Sequence, residues 1–227
     1  MSQFPSLFTF LQELSQNNHR EWFQEHKGRY EVAHKEMIQF AEDLLMEMAQ
    51  YDHLIEMTGK KSLFRIYRDV RFSKNKAPYK THWAGQMKRA TEALRGGYYY
   101  HIAPNNQSFV AGGFWAPEKD DLKRIRVEIA ADANPLREII TADPFVKLFG
   151  EVEGDELKTA PKGFSKEHPD IDLIRKKQFI VTRYFTDEVV HSADFLPEVV
   201  DTFRGMRPFF DYMSEVLTTD SNGVSVL

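Results

Sequence analysis

The chain has 227 residues, 42% hydrophobic and 28% charged, with a formal net charge of -4. That is the balance of an ordinary globular protein with no overall attraction to nucleic acid or anionic lipid. It has no cysteine, which excludes disulfides, thiolate nucleophiles, iron–sulfur clusters and Cys-type zinc sites. No apolar run approaches the roughly 18 residues of a membrane span, and MSQFPSLFTFLQEL lacks the basic region of a signal peptide. The expectation is a cytoplasmic protein with no membrane partner.

Pro5–Ser15 reads as a short amphipathic helix with Leu7, Phe8, Leu11 and Leu14 on one side. Asn18, with Glu21 three residues on, is in register for a capping box opening a long helix to about Gln50. Tyr30, Ala33, Met37, Phe40, Ala41, Leu44, Leu45 and Met48 keep helical spacing along it. From Ser62 the period changes to two. Phe64, Ile66, Val70 and Phe72 then share one face of an expected strand, while Leu63, Arg65, Tyr67, Asp69 and Arg71 share the other. Arg68 breaks the pattern, because it falls on the apolar side.

WAGQMKR, GGYYYHIAP and QSFVAGGFW also read as strands, the last two joined through the turn Pro104-Asn105-Asn106. Pro117 suits the first turn of a helix running to about Ala131, where Glu118, Asp120 and Asp121 complement the dipole. Short helices follow near Pro135–Thr141 and Pro144–Phe149. Residues 150–169 are loop-like with room for a strand at Glu156–Ala160, Gln178–Phe185 is a β-favouring strand, and a last helix spans about Phe195–Leu217. These elements specify an α+β fold: one domain over 1–218, a mainly antiparallel sheet of about five strands with helices packed on it, and a flexible tail over 219–227.

No P-loop, G-x-G-x-x-G, G-x-S-x-G or H-E-x-x-H occurs. No two histidines have metal-ligand spacing on a helix, so no metal site is indicated, and the residues leave the cofactor unknown. The concentrated feature is basic. From Lys60 to Arg95 there are 11 Lys/Arg against two acids, Asp69 and Glu92. Arg65 and Arg71 share a strand face but stand about 20 Å apart along it, too far to clamp one phosphate. One reading, structural only, pairs Arg65 and Arg71 with acids elsewhere in the chain and makes the lysines a solvated hairpin tip. A guanidinium on an apolar face, as at Arg68, needs an acid, carbonyls or a ligand anion.

The combination NNHREWFQEHKGRY, FRIYRDVRFSKNKAPYKTH, GGYYYHIAP, AGGFWAP and APKGFSKEHPDIDLIRKKQF resembles the domain-of-unknown-function family numbered 2461, proteins of bacteria and fungi. The likeness runs from about Phe4 to Tyr212. It implies one intact domain and marks R-D-x-R-F-S-K-x-K-x-P-Y-K-T as the most distinctive stretch. It brings no activity, cofactor or catalytic residue.

The leading expectation is a small phosphate-bearing or other anionic ligand. Arg65, Arg68, Arg71, Lys74, Lys76, Tyr79 and Lys80 would supply charge and donors, and Tyr98, Tyr100 and Trp115 an aromatic wall. Were the site catalytic, the cations would stabilise developing negative charge, with His82, His101 and Lys177 as candidate bases; the tyrosine-packed strand around His101 has a purely structural reading too. Two alternatives involve no catalysis. One is nucleic-acid binding through basic residues interleaved with Phe72, Tyr79 and Trp83, against which the acidic remainder weighs. The other is a protein-interaction domain whose lysine turn docks an acidic partner.

Overall fold

Alternation of buried and half-exposed residues in two short segments builds the centre of the fold. A computed structural model describes residues 4–220 and 222–227. Strands β1 (Trp83–Lys88), β2 (Gly97–Ile102), β3 (Ser108–Phe114) and β4 (Phe179–Phe185) form one antiparallel sheet in that order. Tyr98, Tyr100 and Ile102 of β2 point to the buried face, as do Ser108, Val110, Gly112 and Phe114 of β3. The fold class is α+β as expected, with four strands rather than about five.

The missing strand is the stretch after Ser62. It makes only two isolated antiparallel bridges, Leu63 with Gly85 and Tyr67 with Tyr79. Its alternation does not sort buried from exposed: Ile66 is buried, but Phe64 is 38% and Phe72 95% exposed. Glu156–Ala160 is likewise no strand, contributing the single bridge of Glu156 to Lys176.

Contacts divide the chain into two compact units. The first takes the chain up to Met87, Tyr99–Val110 and Tyr184–Asp201. Its helix α1 (Leu7–Gln16) buries Leu7, Phe8, Phe10, Leu11 and Leu14. Helix α2 (Arg20–Glu25) is capped by His19, whose ring accepts from the Trp22 N–H. The cap is therefore not Asn18, and the expected long helix breaks at His26. Helix α3 (Lys27–Met48) buries Ala33, Met37, Phe40, Ala41, Leu44 and Met48, and α4 (Gly59–Ser62) is capped by Thr58. Phe40 packs on Phe4 and Phe195 with ring centroids 5.4 Å apart in each pair.

The second unit takes Lys88–Tyr98, Ala111–Arg183 and the chain from Thr202 onward. It holds α5 (Lys119–Ala131), α6 (Asn134–Thr141), α7 (Asp143–Phe149) and α8 (Ile171–Ile174). Helix α9 (Asp187–His191) belongs to the first unit, and α10 (Phe195–Gly205) begins there. The expected single C-terminal helix is interrupted at Met206, ahead of Pro208, and α11 (Arg207–Thr218) follows. A proline in a first turn loses no helical hydrogen bond, so a new helix starts there at little cost. Tyr98 packs on Phe203 and Phe210. At Gly113, with φ of 129°, a Cβ would collide with the Phe179 carbonyl oxygen, so β3 and β4 approach closely only because it is glycine. Beyond α11 the chain turns back through a bridge between Thr219 and Ser225.

Candidate functional site

The basic stretch folds as an irregular hairpin in the first unit. Its arms meet through Arg68 N–H to the Pro78 carbonyl at 2.9 Å and Lys80 N–H to the Ile66 carbonyl at 2.8 Å. Asn18 pins the returning arm. Its amide nitrogen donates to the Tyr79 carbonyl at 3.0 Å, and its oxygen accepts from the Tyr79 N–H at 3.1 Å. One side chain thus replaces the two backbone groups of a missing strand neighbour. Tyr79 is 3% exposed and stacks on Phe23 at 4.0 Å, so it anchors the hairpin and offers no surface to a ligand.

With so little ladder, the hairpin leaves carbonyls unpaired, and its own cations take them. Arg68 Nη1 donates to the Ala77 carbonyl at 2.9 Å, Lys76 Nζ to Val70 at 2.9 Å, and Lys80 Nζ to Arg65 at 2.8 Å. The partner of Arg68 is therefore a carbonyl of its own hairpin, and the residue is only half-buried. Arg71 chelates Asp69, Nη2 to Oδ2 at 2.6 Å, on the exposed side. Each carbonyl bond uses one of five guanidinium or three ammonium donors. Among the described residues, Arg65, Arg68, Lys74, Lys76 and Lys80 have no carboxylate at ion-pair distance.

Two of these cations, Lys80 and Arg68, act on His82 beside the half-exposed face of the sheet. His82 stacks on His101 at 4.1 Å, and His101 on Phe109 at 4.7 Å. Tyr99 Oη is 3.2 Å from His101 Nδ1. Phe109 continues to Tyr184 at 5.5 Å, and Tyr99 to Phe64 at 6.3 Å. The Lys80 ammonium lies 5.5 Å above the Phe64 ring. Burial, then Lys80 and Arg68, lower the His82 pKa to about 4. Burial, then His82, lower that of His101 to about 4. Both imidazoles are neutral at physiological pH. Burial, then Arg65, lower the Lys80 pKa as well.

The residues expected to form an aromatic wall lie elsewhere. Tyr98 and Tyr100 occupy the other parity of β2 and are 1% and 0% exposed. The Tyr100 hydroxyl is 2.8 Å from Ser62 Oγ, and burial raises its pKa to about 12. Trp83 is buried, its indole N–H donating to His34 Nδ1 at 3.2 Å. Trp115 is exposed and belongs to the second unit, as does Lys177, which pairs with Asp155 at 3.6 Å. Phe64, Tyr99, Phe109 and Tyr184 were not singled out from sequence. The signal for three of them was strand parity, since Tyr99 shares a face with His101, and Phe109 and Tyr184 stand at half-exposed or exposed positions of their strands.

No cluster of three or more His, Asp or Glu able to hold a metal ion occurs among the described residues, and no helix among them is long and apolar enough to cross a membrane. No curated protein and no solved structure matches the chain. One family model does, over residues 6–212, which include the basic hairpin, the histidine stack and every strand. The chain belongs to that family, described as conserved hypothetical protein DUF2461.

Proposed function

We propose that the open face of the first unit binds a small molecule that carries a phosphate-type anionic group on a planar or apolar body. One observation carries this reading: Arg68 and Lys80, two of five hairpin cations without a carboxylate partner among the described residues, act on His82 at the end of a row of imidazole and aromatic rings. Internal carbonyls account for the positions of Arg68, Lys76 and Lys80 but leave their charge uncompensated, and an uncompensated cation cluster favours an anion. Phe64, Phe109 and Tyr184 offer apolar contact to the rest of the molecule. If the ligand reacts, Arg68 and Lys80 would stabilise developing negative charge, and neutral His82 or His101 would accept a proton.

Thermal unfolding with phosphate, mononucleotides and sugar phosphates tests the reading. A ligand that binds the folded state alone raises Tm through one saturable site, and Arg68→Met should abolish most of that rise. No rise with any of these compounds at millimolar concentration would sink the proposal.

Phe72, 95% exposed beneath Arg71 at the hairpin tip, favours single-stranded nucleic acid as a second reading. That binding would weaken steeply with salt and would fail in Phe72→Ala, whereas a small-anion site would be indifferent to Phe72.

A further inference from the structure

His101 is enclosed on both faces. Strand β2 lies between β1 and β3, so His82, immediately before β1, covers one face of the ring, and Phe109 on β3 covers the other. Only ring edges remain for a ligand, and Nδ1 already meets the Tyr99 hydroxyl. The groups facing this pair are Lys80 and Arg68 from the hairpin, Tyr99 from β2 and Phe109 from β3, with Tyr184 of β4 beyond Phe109. Two are cations and none is a carboxylate.

A proton placed on His82 would meet the repulsion of Lys80 and Arg68 with no counter-charge, and His101 is coupled to the same site through His82. An oxyanion docked on those two cations removes that obstacle, because an opposite charge within about 4–6 Å favours the charged form of a histidine. A second proton would place two imidazoliums face to face at 4.1 Å, so the pair accepts one. Resting on the proposed anion site, we infer that the group recognised there is a dianion, of the phosphomonoester or sulfate class, and that its binding draws one proton onto the His82–His101 pair. Tyr99 positions that proton: when its hydroxyl donates to Nδ1, the free edge of His101 is Nε2. A monoanion such as a phosphodiester offsets Arg68 and Lys80 only in part and leaves less reason for the pair to charge. The neutrality of both rings in the free protein is the state from which uptake starts.

Sulfate is the probe, because it does not titrate in this range and any proton taken up belongs to the protein. Calorimetric titration of the whole chain at about pH 6, in two buffers of different ionisation enthalpy, counts the protons. The expected result is uptake approaching one, with sulfate affinity rising roughly fivefold or more from about pH 7.5 to about pH 5.5. The double variant His82→Phe/His101→Phe keeps both rings of the stack and should lose the proton uptake and its pH dependence. Saturable sulfate binding with no proton uptake overturns the inference and leaves the anion site standing. Uptake that persists undiminished in this double variant overturns the assignment to the pair. Absence of sulfate binding at either pH overturns the inference, and no response to phosphate or its esters as well would remove the proposed site. The count on the unaltered protein decides the matter even if a variant fails to fold.

Discussion

Two long irregular stretches are built alike and charged differently. The hairpin of the first unit and the 151–177 stretch of the second each hold two isolated antiparallel bridges instead of a ladder. In each, cationic side chains take the carbonyls left over: Arg68 and Lys80 in the first, and Arg175, which donates to the Leu157 carbonyl at 2.6 Å, in the second. In the second unit Arg126 also caps the end of α8 through the Ile174 and Lys176 carbonyls. The contrast lies in the acids. In the second stretch Lys176 binds Glu156 and Lys177 binds Asp155, while Asp170 and Asp172 bind Arg137 of α6. Among the described residues, Arg71 alone of the hairpin cations has such a partner. Pinning carbonyls explains why cations are there, and Arg175, 3.9 Å from Glu156 while it holds the Leu157 carbonyl, shows that a carbonyl-bound cation can keep an acid partner as well.

Variants can break or sharpen this contrast. The largest effect should come from Arg137→Ala, which strands Asp170 and Asp172 and costs about 1.5–3 kcal/mol, read as a lowered midpoint in denaturant. Asn18→Ala should cost about 1–2 kcal/mol, since both backbone groups of Tyr79 lose their partner. Arg68→Met should cost about 1 kcal/mol or less, because it removes one neutral acceptor bond and relieves repulsion. If it costs as much as Arg137→Ala, the Arg68 charge is being used internally and the contrast collapses. Trp115→Ser, on an exposed ring, should stay within about 0.5 kcal/mol of the parent.

Acid should act on the first unit in a defined window. The pKa values of His82 and His101 fall from an ordinary 6.5 to about 4 on folding, so between those values the unfolded chain binds more protons. Stability from these rings is complete above about pH 6.5 and is lost as pH falls toward about 4. Tm measured across that window should slope, and His82→Phe should flatten it.

Strand parity and helix periodicity were readable wherever the signal was local. The strands around Tyr100, Val110 and Val181 and the buried face of α3 emerged from spacing alone. The stretch Phe64–Phe72 misled because period two marks an extended chain, not a paired one, and pairing depends on a neighbour 12–22 residues away. Parity also separates two faces of β2 without saying which one the helices cover. Tyr98 and Tyr100 fall on the buried parity, and the half-exposed pair one residue along is Tyr99 and His101. The stacking of His82 on His101 follows from sheet register, which no local pattern encodes. Asn18 was misassigned for a related reason: a good capping residue is equally good at satisfying any exposed backbone pair, and its partner lies 61 residues away.

That separation bears on the order in which the molecule assembles. Closing a loop of 61 residues for two hydrogen bonds is entropically unfavourable until other contacts have shortened it. The packing of α1 on α3 supplies that shortening, so the hairpin should seat only after the helical pair has formed. Asn18→Ala should then accelerate unfolding while leaving the refolding rate nearly unchanged. The charged hairpin would be the last part of the first unit to lock and the first to release, held in place by one amide side chain.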